Sequence, residues 1–362
     1  MLVFVIVASA LAQGSSKLDR RFGTVIWLYM LTTFLAAAIA VVTSFMFPVT
    51  VVLADAAQSD VVPQGLGEVM GTLLTNFVAN PVSAIMSGNY IGILFWACMF
   101  GVAMKKIGSD TTKTFMANTA DAVSQIVRWI INLAPFGIMG LVYTNVSGNG
   151  LAIFTQYGKL LALLVGTMLF MALIVSPFIM FIYLHCNPYP LVFRCLKESG
   201  LTAFFTRSSA ANIPVNMDLC EKLGLDKDMY SVSIPLGATI NMDGAAITIT
   251  IMTLAAANTL GIQVSLPAAI VLSAMSALGA CGASGVAGGS LLLIPMACSL
   301  FGISNDVAMQ MVGVGFIIGV VQDSVETALN SAGDVEFAAT AEYHQWLKQG
   351  KPLPEFLSGK KN

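Results

Sequence analysis

Five polar residues near the C-terminus lie on one face of a predicted helix. The stretch QDSVETALNSAGD, residues 322–334, directly follows the apolar run VGVGFIIGVV. At about 100° per residue, the five side chains occupy roughly a third of the helix circumference. They are Asp323, Glu326, Thr327, Asn330 and Asp334. A carboxylate buried in apolar surroundings is costly unless it is paired or coordinated. Since only Arg128 and Arg207 are basic residues at membrane depth and away from the loops, this face predicts a site for cations from solution.

A second segment offers the oxygen atoms that such a site requires. In SIPLGATINMDGAAITIT, residues 233–250, Pro235, Gly237 and Gly244 favour local unwinding, which would free backbone carbonyl groups. Carboxylate, amide and carbonyl oxygens together bind hard cations, so sodium ions and protons are the candidate ions. The polar run between these residues comprises Thr239, Asn241, Met242 and Asp243. The alternative for both segments is a hydrogen-bonded network that only locks helices together.

Other kinds of chemistry find little support in the sequence. The six cysteines form no CxxC pair and have no histidine at metal-ligand spacing, so we interpret them as small buried apolar residues. His185 and His344 lie at predicted cytoplasmic edges, and no Ser-His or Ser-Lys pairing is apparent at depth, which argues against an intramembrane hydrolase. The net charge of −2 gives no basis for nucleic-acid binding. No glycine-rich ATP-binding loop with a lysine occurs, so we expect no enzyme, no primary pump and no organic cofactor.

Long apolar segments must position these residues. The chain has 362 residues, of which 57% are hydrophobic and 10% are charged. Apolar runs of about 18 residues or more predict transmembrane helices. The predicted crossings are 24–47, 90–104, 122–146, 154–184, 231–257 and 307–332. Basic and non-basic loops alternate between them, and the C-terminal residues are basic, so the positive-inside rule places the C-terminus in the cytoplasm.

In two further segments, each of the two arms is too short to cross the membrane. Residues 191–222 contain TRSSAANIP between two arms of about a dozen residues, the length of a re-entrant segment. Residues 266–302 have two apolar arms around the glycine-rich CGASGVAGG. Non-helical backbone at membrane depth is tolerated only where it is buried in protein or lines a cavity. Since the crossing at 231–257 separates the two hairpins, they enter from opposite faces. The predicted fold is therefore an all-α polytopic membrane protein, an inverted-repeat transporter with two re-entrant helical hairpins.

Three motifs carry a resemblance to a known family. TRSSAANIPVN, GATINMDGAA and DSVETALNSAGD resemble those of the dicarboxylate/amino acid:cation symporters, the glutamate-transporter superfamily, and the similarity covers nearly the whole chain. The resemblance implies a homotrimer in the plasma membrane, the inner membrane of a bacterium, with a scaffold and a mobile transport domain in each protomer. It also implies that the N-terminus is incomplete. The implied parts are 1–16 as a remnant of the second transmembrane helix, 24–47 and 151–337 as transport domain, 48–150 as scaffold, and 338–362 as a cytoplasmic tail.

The resemblance implies specific ion and substrate ligands. One sodium site would use Gly237, Asn241, Asn330 and Asp334. A second site would use Thr239, Met242 and carbonyls of the second hairpin. A third site would use Tyr29, Thr32, Thr33, Asn241 and Asp243. The substrate carboxylate would meet Ser209 and Asn330, its amino group Asp323 and Thr327, and the tip at 283–289 would be the external gate. The full implied substrate set is Arg207, Ser208, Ser209, Ala245, Val286, Gly288, Asp323, Glu326, Thr327 and Asn330.

Departures from the family pattern predict the substrate. Acidic-substrate members are expected to carry an arginine where this chain has Glu326, and a carboxylate there would repel an acidic side chain but could accept a hydrogen bond from a hydroxyl group. Ala245 replaces a family threonine, and Ala287 replaces a proline in the gate. We therefore expect a sodium-coupled importer of small neutral amino acids, serine and threonine foremost. The alternatives are a proton- or sodium-coupled carrier of dicarboxylates or acidic amino acids, and an ion channel without coupling.

Overall fold

The computed structural model describes residues 4–5, 8–9, 12, 20–53, 79–87, 90–132, 139, 152–283 and 287–358, and no strand occurs within these ranges. The helices are α1 (Arg20–Met46), α2 (Pro81–Ser87), α3 (Tyr90–Ile107), α4 (Asp110–Asn132), α5 (Ala152–Phe170), α6 (Ser176–Leu184), α7 (Tyr189–Cys195), α8 (Leu201–Thr206), α9 (Ser209–Lys222), α10 (Lys227–Ile240), α11 (Asp243–Thr259), α12 (Leu266–Ala280), α13 (Ile294–Ser299), α14 (Asn305–Lys348) and α15 (Glu355–Ser358). Single π-helical turns, Met171–Val175 and Leu196–Gly200, join α5 to α6 and α7 to α8, and a 3₁₀ turn, Ser290–Leu293, leads into α13.

Four helical segments within the described ranges are long and apolar enough to cross a membrane. They are α1, the continuous α5–α6, the broken α10–α11 and α14. These correspond to four of the predicted crossings, and the prediction of a polytopic all-α protein is confirmed. The predicted crossing at 90–104 lies within α3, whereas most of the one at 122–146 lies outside the described residues. Helix α11 is buried from Asp243 to Ala257, as expected for a helix that is apolar on all sides.

The crossing at 231–257 is interrupted at the predicted place. Asn241 (φ −94°, ψ 82°) and Met242 (φ −124°, ψ 52°) leave the helical conformation between α10 and α11. The interruption packs against α14 because Gly244 has no side chain: a Cβ atom there would lie 2.8 Å from the backbone oxygen of Glu326. The prediction of local unwinding around the polar run is therefore confirmed.

Helix α14 is the axis of the fold and is longer than the predicted crossing at 307–332. It contacts both hairpins, both halves of the broken helix, and α1, α5 and α6. Ser304 caps its N-terminus, since the hydroxyl accepts a hydrogen bond from the Val307 N–H. Residues 338–343, where a tail was expected to begin, are buried in this helix, and the Tyr343 hydroxyl donates to the Leu223 carbonyl at 2.8 Å. Alanine-rich sequence and these contacts continue the helix.

Two helical hairpins pack against α14. The first hairpin comprises α7, α8 and α9, with its tip at Arg207 and Ser208; Arg207 adopts a left-handed conformation (φ 50°), and the Ser208 hydroxyl accepts from the Ala211 N–H at 3.2 Å to cap α9. The second hairpin comprises α12, the 3₁₀ turn and α13. Residues 284–286 of its tip lie outside the described ranges.

Replacing Gly244 with alanine tests the packing of the interruption. The new Cβ would also lie 2.9 Å from the Glu326 Cα, and backbone atoms of two helices cannot yield easily. We expect a destabilisation of about 1–3 kcal/mol, measured as a lower melting temperature in detergent. The matched control is Gly319→Ala on α14, where a Cβ meets nothing within 4 Å and helix propensity improves. Equal melting temperatures for the two variants would contradict this packing argument.

Candidate functional site

The tips of both hairpins meet at Asp323 of α14. The Gly288 N–H, from the second hairpin, donates to Asp323 Oδ1 at 3.1 Å. The Arg207 Nε, from the first hairpin, lies 3.9 Å from Asp323 Oδ2, and its side chain is 40% exposed while that of Asp323 is 5% exposed. Thr327 donates to the Asp323 carbonyl at 2.7 Å, one turn further along α14. Both hairpins therefore contact the Asp323 carboxylate. Its ion pair with the partly solvated Arg207 guanidinium is long, at 3.9 Å.

Glu326 lies one turn from Asp323 and is enclosed by hydrogen-bond donors. Its Oε2 accepts from the hydroxyl groups of Thr248 at 2.7 Å and Ser290 at 2.9 Å, and from the Gln322 side-chain amide. The three donors come from α11, the second hairpin and α14. The sequence analysis missed all three, although the spacing of four residues between Gln322 and Glu326 is the helical spacing at which side chains meet.

Asn330 joins α14 to the interruption between α10 and α11. Its Oδ1 accepts from the Gly244 N–H at 2.7 Å, and its Nδ2 lies 3.4 Å from the Met242 sulfur. The Asn241 Nδ2 donates to the Asn330 carbonyl at 3.1 Å. Ala245, on the first turn of α11, is fully buried. Hydrogen bonds to Asn330 thus link the first turn of α11 and the interruption before it to the middle of the polar face of α14.

Asp334 is fully buried beside α10 and α1. Asn241 Nδ2 donates to its Oδ1 at 3.0 Å, and Asn216 Nδ2, from the first hairpin, lies 3.5 Å from its Oδ2. The Tyr29 hydroxyl donates to its backbone carbonyl at 2.8 Å. A Cβ on Gly237 would lie 2.7 Å from Oδ1, so this glycine is needed for the close approach of α10. Asn216 is a further contact that sequence reasoning missed.

Asp243 has a carboxylate oxygen that is not satisfied by the described residues. The Thr33 hydroxyl lies 3.1 Å from Oδ1, while Oδ2 is buried and has no hydrogen-bond partner in the described ranges. Thr33 also accepts from the Met242 N–H at 3.2 Å, and the Thr32 hydroxyl is 3.5 Å from Asn241 Oδ1. A buried polar atom without a partner is uncommon and marks a place where an ion or a proton can be held. The oxygen atoms around it match the requirements of a hard cation.

Some expected ligands make none of these contacts, or lie outside the described residues. Thr239 is half-buried and donates to the Leu236 carbonyl of its own helix at 2.7 Å. Ser208 serves as a helix cap, and Ser209 is 2% exposed at the start of α9. Val286 lies outside the described residues.

Negative charge dominates this buried region. The four carboxylates, Asp243, Asp323, Glu326 and Asp334, are all at most 5% exposed. Among the described residues, the one ion pair to any of them is that between Arg207 and Asp323. Such an excess of carboxylates in apolar surroundings favours binding of cations and of a ligand with an ammonium group.

Comparison with known proteins agrees with this geometry. The model of the sodium:dicarboxylate symporter family matches residues 1–343. The chain belongs to this family. It is a membrane transporter rather than an enzyme, and the resemblance found in the sequence is confirmed.

Relatives in this family share high identity with the chain. It is 77% identical to the serine/threonine transporter SstT of Bifidobacterium adolescentis over 361 residues, which are 100% of this chain and 84% of the relative. It is 63% identical to the protein of the same name from Streptococcus agalactiae, covering 94% and 85% of the two chains. The corresponding protein of Streptococcus thermophilus is 57% identical, with coverage of 96% and 87%.

Proposed function

We propose that this family member imports serine and threonine together with sodium ions. The observation that carries the substrate choice is the buried carboxylate of Glu326, one turn from Asp323 and hydrogen-bonded to Ser290 of the second hairpin. An acidic substrate would place a second carboxylate against it, whereas a hydroxyl group can donate a hydrogen bond to it. The relatives named serine/threonine transporters support the same choice.

The substrate would lie between the two hairpin tips. Its ammonium group would pair with Asp323, which already accepts from the Gly288 N–H and can accept further donors. Its carboxylate would approach Ser209, Asn330 and the Arg207 guanidinium, the partly exposed cation of the site. Its side chain would extend toward Ala245 and Glu326. Ammonium, carboxylate and hydroxyl groups would each then meet a group of opposite character.

Sodium ions would be co-transported substrates held by the deeper carboxylates. Asp243 Oδ2, which no hydrogen bond from the described residues reaches, fits one ion together with the nearby Tyr29, Thr32 and Thr33. Asp334 with Asn241, Asn330 and Gly237 offers the oxygen atoms for another. A further site at Thr239 and Met242 with carbonyls of the second hairpin remains a proposal carried by the family resemblance. Neutralisation of these carboxylates by ions would lower the cost of moving them through the membrane.

Transport would proceed by alternating access. Residues 24–47 and 151–337, which include both hairpins, would move as a transport domain against a scaffold formed by residues 48–150 and by the segment 1–16. We propose a homotrimer in the bacterial inner membrane with a cytoplasmic C-terminus, as the basic C-terminal residues and the family resemblance suggest.

Uptake into proteoliposomes tests the proposed function. We expect labelled serine to accumulate with an inward sodium gradient and not with an equal potassium gradient, and we expect excess unlabelled threonine, but not aspartate, to inhibit it. Inhibition by aspartate would favour a carrier of acidic amino acids, for which the exposed Arg207 guanidinium would be the binding group. Sodium flux without substrate accumulation would instead indicate a channel.

A further inference from the structure

We propose that Thr248, Ser290 and Gln322 form a cradle that orients Glu326 and thereby sets the preference for a hydroxyl-bearing side chain. None of the three is a residue that the family motifs single out in this chain. They act through Glu326, so they are positioning residues. The inference rests on the proposed function, because it concerns how the same site recognises the substrate side chain.

The hydrogen atoms of the cradle can be assigned from its contacts. The Gln322 Nε2 donates to the Thr248 Oγ1 at 2.7 Å, so Thr248 accepts there and its single hydrogen is free to point at Glu326 Oε2, 2.7 Å away. The second hydrogen of the Gln322 amide reaches the same carboxylate oxygen. Ser290 Oγ donates to it as well, at 2.9 Å. Three donors therefore converge on Oε2, an arrangement that suits an ionised carboxylate.

Gln322 adopts this orientation at a cost. Its carbonyl oxygen, Oε1, is buried and has no hydrogen-bond partner in the described ranges. The opposite amide orientation would turn that oxygen toward the Glu326 carboxylate and would place acceptor against acceptor. The favourable contacts with Thr248 and Glu326 thus outweigh an unsatisfied buried carbonyl, which indicates that holding the carboxylate is the role of this side chain.

The cradle leaves one oxygen of Glu326 for the substrate. With Oε2 occupied by three donors, Oε1 is the acceptor that remains, and among the described residues no hydrogen bond reaches it. Ala245 lies three residues before Thr248 on the same face of α11, and its side chain is a single methyl group. A serine or threonine hydroxyl that approaches along this face could donate to Oε1. A substrate without a hydroxyl would make no hydrogen bond to this oxygen.

The cradle also connects substrate choice to the second hairpin. Ser290 directly follows the glycine-rich tip, whereas Thr248 belongs to α11 and Gln322 to α14. All three donors meet at Oε2 only when the hairpin is packed against both helices. The side-chain subsite is therefore complete only when the second hairpin packs against α11 and α14 in this way.

The experiment compares Thr248→Val with Thr250→Val in sodium-driven uptake. Both threonines are fully buried on α11, but the Thr250 hydroxyl has no hydrogen-bond partner in the described ranges, so its replacement removes no hydrogen bond seen there. We expect Thr248→Val to raise the KM for serine about tenfold, the effect of losing one hydrogen bond to a charged group. The inhibition constant of alanine, which has no hydroxyl, and the sodium dependence should be unchanged. Thr248→Ser, which keeps the hydroxyl, should restore the KM.

A second variant and a double-mutant cycle keep the test decisive if Thr248→Val does not fold. Ser290→Ala should raise the serine KM in the same way, whereas Ser276→Ala, on the other arm of the hairpin with a buried hydroxyl that is unpaired in the described ranges, should not. In a chain that already carries Glu326→Ala, which has no acceptor for the three donors, the cradle variants should have no further effect. Two results would contradict the proposed role of the cradle while leaving the proposed function intact. One is full additivity of the effects of the cradle and Glu326 substitutions on the serine KM. The other is an equal serine KM for Thr248→Val and Thr250→Val. Absence of sodium-driven serine uptake by the unmodified chain would overturn both.

Discussion

Replacement of Asp334 by asparagine is expected to abolish sodium-driven uptake while the chain remains folded. Asparagine has the same shape, and its carbonyl oxygen can still accept from the Asn241 amide that now lies 3.0 Å from Asp334 Oδ1. What it removes is a fully buried negative charge that has no ion pair among the described residues. Since removing one partner of a buried charge pair costs roughly 3–5 kcal/mol, the apparent sodium affinity should fall at least about a hundredfold.

Two measurements separate loss of sodium binding from loss of folding. The sodium-dependent rise in melting temperature should disappear in Asp334→Asn, while the melting temperature without sodium should be equal to or higher than that of the unmodified chain, because a desolvated charge is gone. Asp228→Asn, which changes an exposed carboxylate on the first turn of α10, is the control and should behave as the unmodified chain. A normal sodium dependence in Asp334→Asn would remove this residue from the ion site.

Replacement of Asp323 by asparagine is expected to remove substrate binding while sodium binding persists. The new side chain can still accept the Gly288 N–H through its carbonyl oxygen, so the contact with the second hairpin is kept. It has no charge to pair with the substrate ammonium group, at a position where the Asp323 side chain is only 5% exposed. We expect a loss of about a hundredfold or more in apparent affinity for serine, comparable to that for breaking a buried ion pair.

The decisive readout for Asp323→Asn is the contrast between two ligands. Serine should no longer protect the protein against thermal unfolding, whereas sodium alone should protect it as in the unmodified chain. If Asp323→Asn bound serine with the same affinity as the unmodified chain, another group would have to bind the ammonium group. Loss of the sodium effect as well would place Asp323 among the ion ligands instead.

The described contacts also suggest how ion and substrate binding are linked. Asn241 donates to both Asp334 and the Asn330 carbonyl, and the Asn330 side chain accepts from the Gly244 N–H. An ion at Asp334 would reposition Asn241 and, through it, the turn of α14 that would face the substrate in the proposed site. Coupling of this kind is reciprocal, so serine should raise the affinity for sodium by the same factor by which sodium raises the affinity for serine.

Much of this arrangement could be predicted from local sequence patterns. The helical periodicity placed Asp323, Glu326 and Asn330 on one face, because side chains three and four residues apart meet on any helix. Glycine and proline around the polar run predicted an interruption, because these residue types weaken helices. It lies at Asn241 and Met242, while Pro235, Gly237 and Gly244 themselves remain helical. Span lengths and short apolar arms predicted a membrane fold with two hairpins, since the thickness of the bilayer limits helix lengths.

The partners of these residues were decided by the tertiary structure. Ser290 and Thr248 are far from Glu326 in the sequence, and neither has a local pattern that distinguishes it from other serines and threonines in apolar helices. Asn216 approaches Asp334 because the first hairpin packs along α14, and residues 338–343 are buried because α10 and the first hairpin cover them. Periodicity reports which residues share a face of one helix. Which side chains face each other across helices depends on the angle and depth at which the helices pack, and those are settled only when the whole core forms.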